Sequence, residues 1–108
     1  MAKYILIALN GPTPGEGNEA IYNEWYETVH IPDLLATPGI TSARRFKVVS
    51  TKTERPWPYV ALYEIESDDI QATFAYMNEH NSPFHATFDR SVSEAITAIA
   101  IAIEDVAG

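Results

Sequence analysis

The sequence contains no cysteine, which excludes disulfides, a thiolate nucleophile and a thiolate metal site. Basic residues are scarce: seven Lys and Arg stand against fifteen Asp and Glu, a net charge of −8 that argues against nucleic acid as a partner. No apolar run approaches the roughly 20 residues a membrane span requires. The run Tyr4 to Leu9 is too short for the core of a signal peptide and lacks a small-residue cleavage site. The expectation is a cytoplasmic protein with no membrane partner. No glycine-rich phosphate loop occurs, because Gly11 and Gly15 are separated by prolines, which carry no backbone donor. There is no nucleophile elbow behind a Ser-His-Asp arrangement, and no repeat, linker or low-complexity tract.

What remains is a chain of 108 residues, 46% hydrophobic and 20% charged, sized for one globular domain over residues 1–108. Lys3 to Leu9 is a short Ile-rich run that suits a central strand. Asn10-Gly11-Pro12 breaks it. Asn18 is a plausible N-cap for a helix with two stripes, Ile21/Trp25/Val29 and Tyr22/Tyr26/His30. The first stripe reads as core and the second as chemical. Pro32 is expected to kink or restart the helix and to push Ile31 out of helical geometry. Thr37-Pro38-Gly39 ends it. Ile40 to Ser50 reads as a strand with Ala43, Arg45 and Lys47 on one face and Arg44, Phe46 and Val48 on the other. Tyr59 to Glu66 is a clear strand, with Tyr59, Ala61, Tyr63 and Ile65 alternating against Val60, Leu62, Glu64 and Glu66. Ser67 reads as the cap of a second helix with the stripe Ile70, Phe74, Met77, ending near His80. Phe84 and Phe88, four apart, favour a short helix. Glu94 to Val106 reads as the last strand, with Ile99, Ile101 and Ile103 on one face and Ala98, Ala100 and Ala102 on the other.

The order β-α-β-β-α-β predicts an α+β, ferredoxin-like domain: a four-stranded antiparallel sheet with both helices on one face. The opposite sheet face has too little polar surface to be left in water, so a second copy of the chain is its expected cover. The alanine face of the last strand, which permits close approach, supports a homodimer.

Trp25-x4-His30-x-Pro32, followed by Pro38-Gly39 and Arg44-Arg45-Phe46, resembles the EthD-like branch of the dimeric α/β-barrel superfamily, in which two ferredoxin-like chains face their sheets together. The likeness covers most of the chain as topology and residues 23–46 as local motif. It implies a small-molecule pocket between the sheet and helices of each chain. It also implies that His30 is the polar pocket residue, with Trp25 and Tyr26 nearby. The superfamily includes cofactor-free monooxygenases, polyketide cyclases, isomerases, decarboxylases, haem-degrading enzymes and members with no known activity, so the fold does not give the reaction.

His30 titrates near neutrality when unperturbed, and burial among aromatic groups would hold it neutral and able to accept a proton. The plainer reading is a histidine that caps the kink before Pro32 by bonding a freed carbonyl. Tyr22, Tyr26 and Tyr63 carry hydroxyls that can orient a substrate oxygen or serve as satisfied core phenols. Trp25, Arg44 and His85 complete the expected substrate-binding residues. Glu64 shares a strand face with Val60 and Leu62 and reads as partly buried, with Arg44 or Arg45 as its partner. Five of the seven basic residues, Arg44, Arg45, Lys47, Lys52 and Arg55, cluster as a solvated face or an anion-attracting rim. His30, His80 and His85 lack metal-ligand spacing, so neither metal nor cofactor is expected.

The resulting expectation is a small cofactor-independent enzyme of cyclase, isomerase, decarboxylase or monooxygenase type. It would act on an apolar aromatic or polyketide-like carbonyl compound with His30 as acid/base. The alternatives are a non-catalytic binding or accessory protein for a hydrophobic metabolite, and a haem-binding member.

Overall fold

Four strands form one sheet in the order β2-β3-β1-β4, with β1 (Ala2–Asn10) and β3 (Tyr59–Ser67) at its centre. The computed structural model describes residues 2–49, 57–91 and 93–99. Strands β2 (Ile40–Lys47) and β4 (Glu94–Ile99) form the two edges. Every pairing is antiparallel. The apolar run of β1 sits between two partners, which is why it alternates little in the sequence. Residues 100–106 of the expected last strand, and Lys52 and Arg55 of the basic cluster, lie outside the described residues.

Register divides the sheet into two faces. Leu6 pairs with Tyr63, Ala8 with Ala61 and Tyr4 with Ile65, while Arg45 pairs with Ala61 from the other side. Helix residues cover this face, and the core gathers here: Leu6, Tyr22, Trp25, Tyr26, Leu34, Tyr63 and Ile65, joined by Ile70, Phe74 and Met77. Each large apolar side chain so buried stabilises the fold by about 1.5–3 kcal/mol. The other face carries Ile5, Ile7, Leu9, Val60 and Leu62, all only half-buried, and Phe46, which is exposed. The register pairs Ala98 with Ile5 and Ile96 with Ile7.

The first helical segment departs from a plain helix. Helix α1 (Asn18–Trp25) runs into a π-helical turn, Tyr26–His30, and then into α2 (Ile31–Leu35). Pro32 has no N–H to give, and its ring would strike the carbonyl four residues back in a plain helix. The wider turn just ahead of it, closed by the Ile31 N–H on the Tyr26 carbonyl, shifts those carbonyls. Ile31 consequently keeps helical angles, φ −60° and ψ −48°, contrary to the expectation that Pro32 would displace it. Asn18 is not the cap either. Gly17 takes that place with φ +82°, and the Asn18 amide instead ties the preceding loop through Thr13 and Pro14.

Helix α3 (Ile70–His80) is capped by Asp69, whose carboxylate accepts from the Ala72 N–H, while Ser67 accepts from the Asp69 N–H. The cap is thus two residues later than expected. Phe84 and Phe88 do not form a helix. After Pro83 the chain lies against the loop behind β1, where Thr13 N–H donates to Thr87 and Asp89 N–H to Gly11. Those bonds occupy the backbone that a helix would need. The two phenyl rings stack instead, centroids 4.5 Å apart.

Candidate functional site

A cavity of about 910 Å³ opens between the helix-covered sheet face, the π-helical turn, α3 and residues 81–90 that follow it. Its floor is Leu6 and Ala8 of β1 and Tyr63 of β3; Tyr26 and His30 form one wall, and Phe84, His85 and Phe88 close over another. Its lining is mixed, with apolar rings and a few polar groups, as small-molecule sites commonly are.

The π-helical turn sets the histidine. Its hydrogen bonds join residues five apart, so residues five apart come nearly into line. Trp25 and His30 accordingly stack, centroids 5.0 Å apart and planes 20° from parallel. Tyr26 meets the other side of the imidazole edge-on at 4.8 Å, and Phe84 stands at 5.3 Å. His30 is 9% exposed. Burial lowers its pKa from 6.5 to about 4; Asp33 pulls the other way and Arg45 adds slightly to the lowering. The ring is therefore neutral at physiological pH and has a lone pair to offer. Among the described residues nothing hydrogen-bonds it, so it does not cap the kink before Pro32.

Beside it lies a chain of buried hydroxyls joined through Asn10, the last residue of β1. Tyr22 donates to Asn10 Oδ1. Asn10 Nδ2 donates to the Tyr26 hydroxyl at 3.2 Å, and the Tyr26 and Tyr63 hydroxyls are 3.3 Å apart. Desolvation drives the Tyr22 and Tyr63 pKa values well above the ordinary range, with Arg45 drawing the other way, so both phenols keep their protons.

Four of the seven expected site residues, His30, Tyr26, Tyr63 and His85, line the cavity. His85 Nδ1 accepts from the Thr87 N–H at 3.1 Å. Tyr22 and Trp25 stand behind the wall, Tyr22 bonded to Asn10 and Trp25 stacked on His30. Trp25 also lies edge-on to Phe84 and Phe88. Of the stripe read as core, Trp25 is buried and Val29 packs against the core, but Ile21 is 47% exposed; Tyr22, Tyr26 and His30 are buried as well. The π turn begins after Trp25, so it shifts the phase of Tyr26 and later residues only.

Arg44 is a correction. It pairs with Leu62 in β3, on the sheet face away from the cavity, and its guanidinium lies over Phe46 at 5.1 Å. Arg45 takes the helix side. Its guanidinium sits 4.1 Å above the Tyr26 ring, donates to Glu27 at 2.8 Å and to Asn23 at 2.9 Å, and so clamps α1 to β2. Glu64 is exposed rather than partly buried, and Arg45 is engaged by Glu27 instead. Lys47 meets Glu19 at 3.5 Å, so the described part of the basic cluster is substantially paired with acids of α1 and of the turn after it. Sequence reading missed Asn10, taken only as a strand breaker, and the rings of Phe84 and Phe88; the i, i+4 spacing of those two was the available signal. Among the described residues no three His, Asp or Glu side chains gather as a metal site, and no helix is long and apolar enough to cross a membrane.

The family model of a domain of unknown function, DUF4286, matches residues 16–106. A relative, Core atranone cluster (CAC) protein 1 of Stachybotrys chlorohalonatus, is 34% identical over 62 residues, 57% of this chain; the chain spans only 26% of that relative's length. Solved structures share the fold at low identity. A candidate monooxygenase of Shewanella loihica PV-4 aligns with a TM-score of 0.61 at 15% identity, covering 94% of this chain and 96% of its own. An EthD family protein of Bacillus halodurans C-125 aligns at 0.56 and 14%, covering 92% and 99%. A dimeric ferredoxin-like protein of unknown function from Jannaschia sp. CCS1 aligns at 0.56 and 15%, covering 91% and 99%. The ferredoxin-like α+β fold expected from the sequence is thus the fold of this chain.

Proposed function

For a chain that belongs to the DUF4286 family, a domain of unknown function, we propose a small cofactor-independent enzyme. It moves a proton on an apolar aromatic or polyketide-like carbonyl compound, and it works as a homodimer. The observation that carries the reading is the pairing of a buried histidine with a phenol in one cavity: His30 and Tyr26 line the same wall, their rings 4.8 Å apart.

His30 takes a proton from the carbon beside the carbonyl. The electron pair of that C–H bond moves to the carbonyl oxygen, and a tyrosine hydroxyl of Tyr26 or Tyr63 holds the resulting enolate. His30 then returns the proton to the same or another carbon. Isomerisation and aldol-type cyclisation pass through an enolate formed this way; decarboxylation reaches the same enolate by loss of carbon dioxide, and oxygenation of an activated ring would pass it on to dioxygen as co-substrate, so the site suits the class rather than one member. His85 closes the far wall as a further contact. The relative named for an atranone cluster fits work on a small organic compound. The dimeric ferredoxin-like neighbour and the uncovered apolar sheet face support the homodimer.

Exchange of the α-protons of β-tetralone in deuterium oxide tests the reading, with nuclear magnetic resonance following the label. The wild type is expected to accelerate exchange over buffer, and His30→Gln to lose that acceleration while still binding the ketone. Binding without acceleration by the wild type would sink the enzyme reading and leave the second one, a carrier of hydrophobic metabolites, which the depth and apolar rings of the cavity also suit.

A further inference from the structure

Asn10 occupies a position that nothing in the chemistry of His30 requires. It is polar, 3% exposed, and ends the central strand on the floor of the cavity. Its amide has one accepting and one donating end, and each meets a different phenol. The orientation of that amide is dictated by Tyr22. The Tyr22 hydroxyl is fully buried, and Asn10 Oδ1 is the acceptor for its proton. With the amide reversed, Nδ2 would face Tyr22 and the phenol proton would have no acceptor among the described residues, which is costly in a buried site. Asn10 Nδ2 therefore points at Tyr26, whose oxygen receives rather than gives in that bond.

A direction follows along the whole chain of hydroxyls. Tyr26 accepts from Asn10, so its own proton goes either to Tyr63 or into the cavity. If it goes to Tyr63, the Tyr63 proton goes into the cavity. Both phenols face that space, and burial holds the Tyr63 proton in place. Either way one O–H is left over, and it is directed at whatever occupies the cavity.

We infer that Asn10 is a positioning residue that makes the Tyr26–Tyr63 pair a hydrogen-bond donor to the ligand, so that the site selects compounds presenting an acceptor oxygen, a ketone or quinone carbonyl, at the β1/β3 end. This rests on the reading of the cavity as a small-molecule site and adds the orientation of the ligand: carbonyl on the tyrosines, acidic hydrogen toward His30.

The test compares β-acetonaphthone with β-isopropenylnaphthalene, a shape-matched hydrocarbon lacking the oxygen, by equilibrium dialysis and by the infrared stretch of the bound ketone. Wild-type protein is expected to bind the ketone roughly 3- to 10-fold more tightly, the worth of one net hydrogen bond, and to lower its carbonyl frequency. In Asn10→Asp, at about pH 8 and well above the ordinary carboxylate pKa of about 3.9, both side-chain oxygens accept. Tyr22 and Tyr26 then both donate to residue 10, Tyr63 donates to Tyr26, and no phenol proton is left for the ligand. The preference should fall to about onefold and the frequency shift vanish, with hydrocarbon affinity within roughly twofold of wild type. An unchanged preference in Asn10→Asp overturns the inference while leaving the pocket intact. Parallel loss of both affinities also overturns it, since Asn10 would then be structural. Wild type that binds neither compound defeats the small-molecule reading itself.

Discussion

Trp25 and His30 lie five residues apart and stack, 5.0 Å between centroids, because the turn joining them is π-helical. The indole and the edge of Tyr26 take water from the imidazole, and that desolvation is the main cause of its lowered pKa. Above the unperturbed value of 6.5 the ring is neutral both folded and unfolded and titration contributes nothing. As pH falls below 6.5 the unfolded chain takes up a proton that the folded one refuses until about 4. Stability is therefore lost progressively through that window, by about 2–3 kcal/mol from this group. Chemical denaturation of wild type and His30→Phe at neutral and at mildly acid pH checks it. The variant should lack this share of the acid loss, and equal losses in the two proteins would contradict the assignment.

The same turn marks where the sequence stopped being legible. Strand faces followed from alternation alone: the observed pairing of Tyr63 with Leu6 and of Arg45 with Ala61 puts each residue on the face its neighbours imply. Helix periodicity worked for Ile70, Phe74 and Met77, where the helix is regular. It held for Trp25, which is core, and failed for Ile21, which is exposed within regular α1. It did not foresee the stacking of His30 on Trp25, because one widened turn changes the phase of everything after it, and a proline announces a disturbance without announcing which kind. Asn10 was invisible for another reason. Its partners are 12 and 16 residues away, and no local pattern signals an amide bonded across the fold.

Arg45 and Glu27 form an ion pair whose two ends are unequal. The arginine side chain is 10% exposed and the glutamate 59%. Removing the glutamate leaves the guanidinium bonded to Asn23 and resting on Tyr26, so Glu27→Ala should cost less than about 1 kcal/mol. Arg45→Met removes the bonds to Glu27 and Asn23 and the cation over the Tyr26 ring together. A loss of about 2–3 kcal/mol is expected. Urea midpoints of the two variants measure the contrast, and similar values for both would mean that the pair acts only at the surface.

Gly39 cannot carry a side chain. Its φ is +99°, and a Cβ there would stand 2.7 Å from the Glu66 carbonyl oxygen in the neighbouring strand. The approach is close because the Gly39 carbonyl accepts the Glu66 N–H at 2.8 Å, which starts the β2–β3 pairing. Gly39→Ala should destabilise by about 3 kcal/mol through left-handed strain and the clash. The thermal midpoint would fall by roughly 10 °C or more, and a fall of a degree or two would show that this turn can relax.

Ile7 and Leu62 are paired in the two central strands and stand on the sheet face that no helix covers. Leu9, Val60 and Phe46 continue the patch on one side, and Ile5 on the other. A monomer would hold this apolar surface in water. In a face-to-face homodimer it is buried, and a lysine at its centre would be a buried charge without a partner, costing several kcal/mol. Ile7→Lys is therefore expected to raise the dimer dissociation constant by about a hundredfold or more, each 1.4 kcal/mol being a factor of ten. The cavity lies on the opposite face of the sheet and should keep its ligand affinity. Sedimentation at micromolar concentration decides the matter: a wild type that already runs as a monomer rules the dimer out, and a variant that stays dimeric moves the interface off this face.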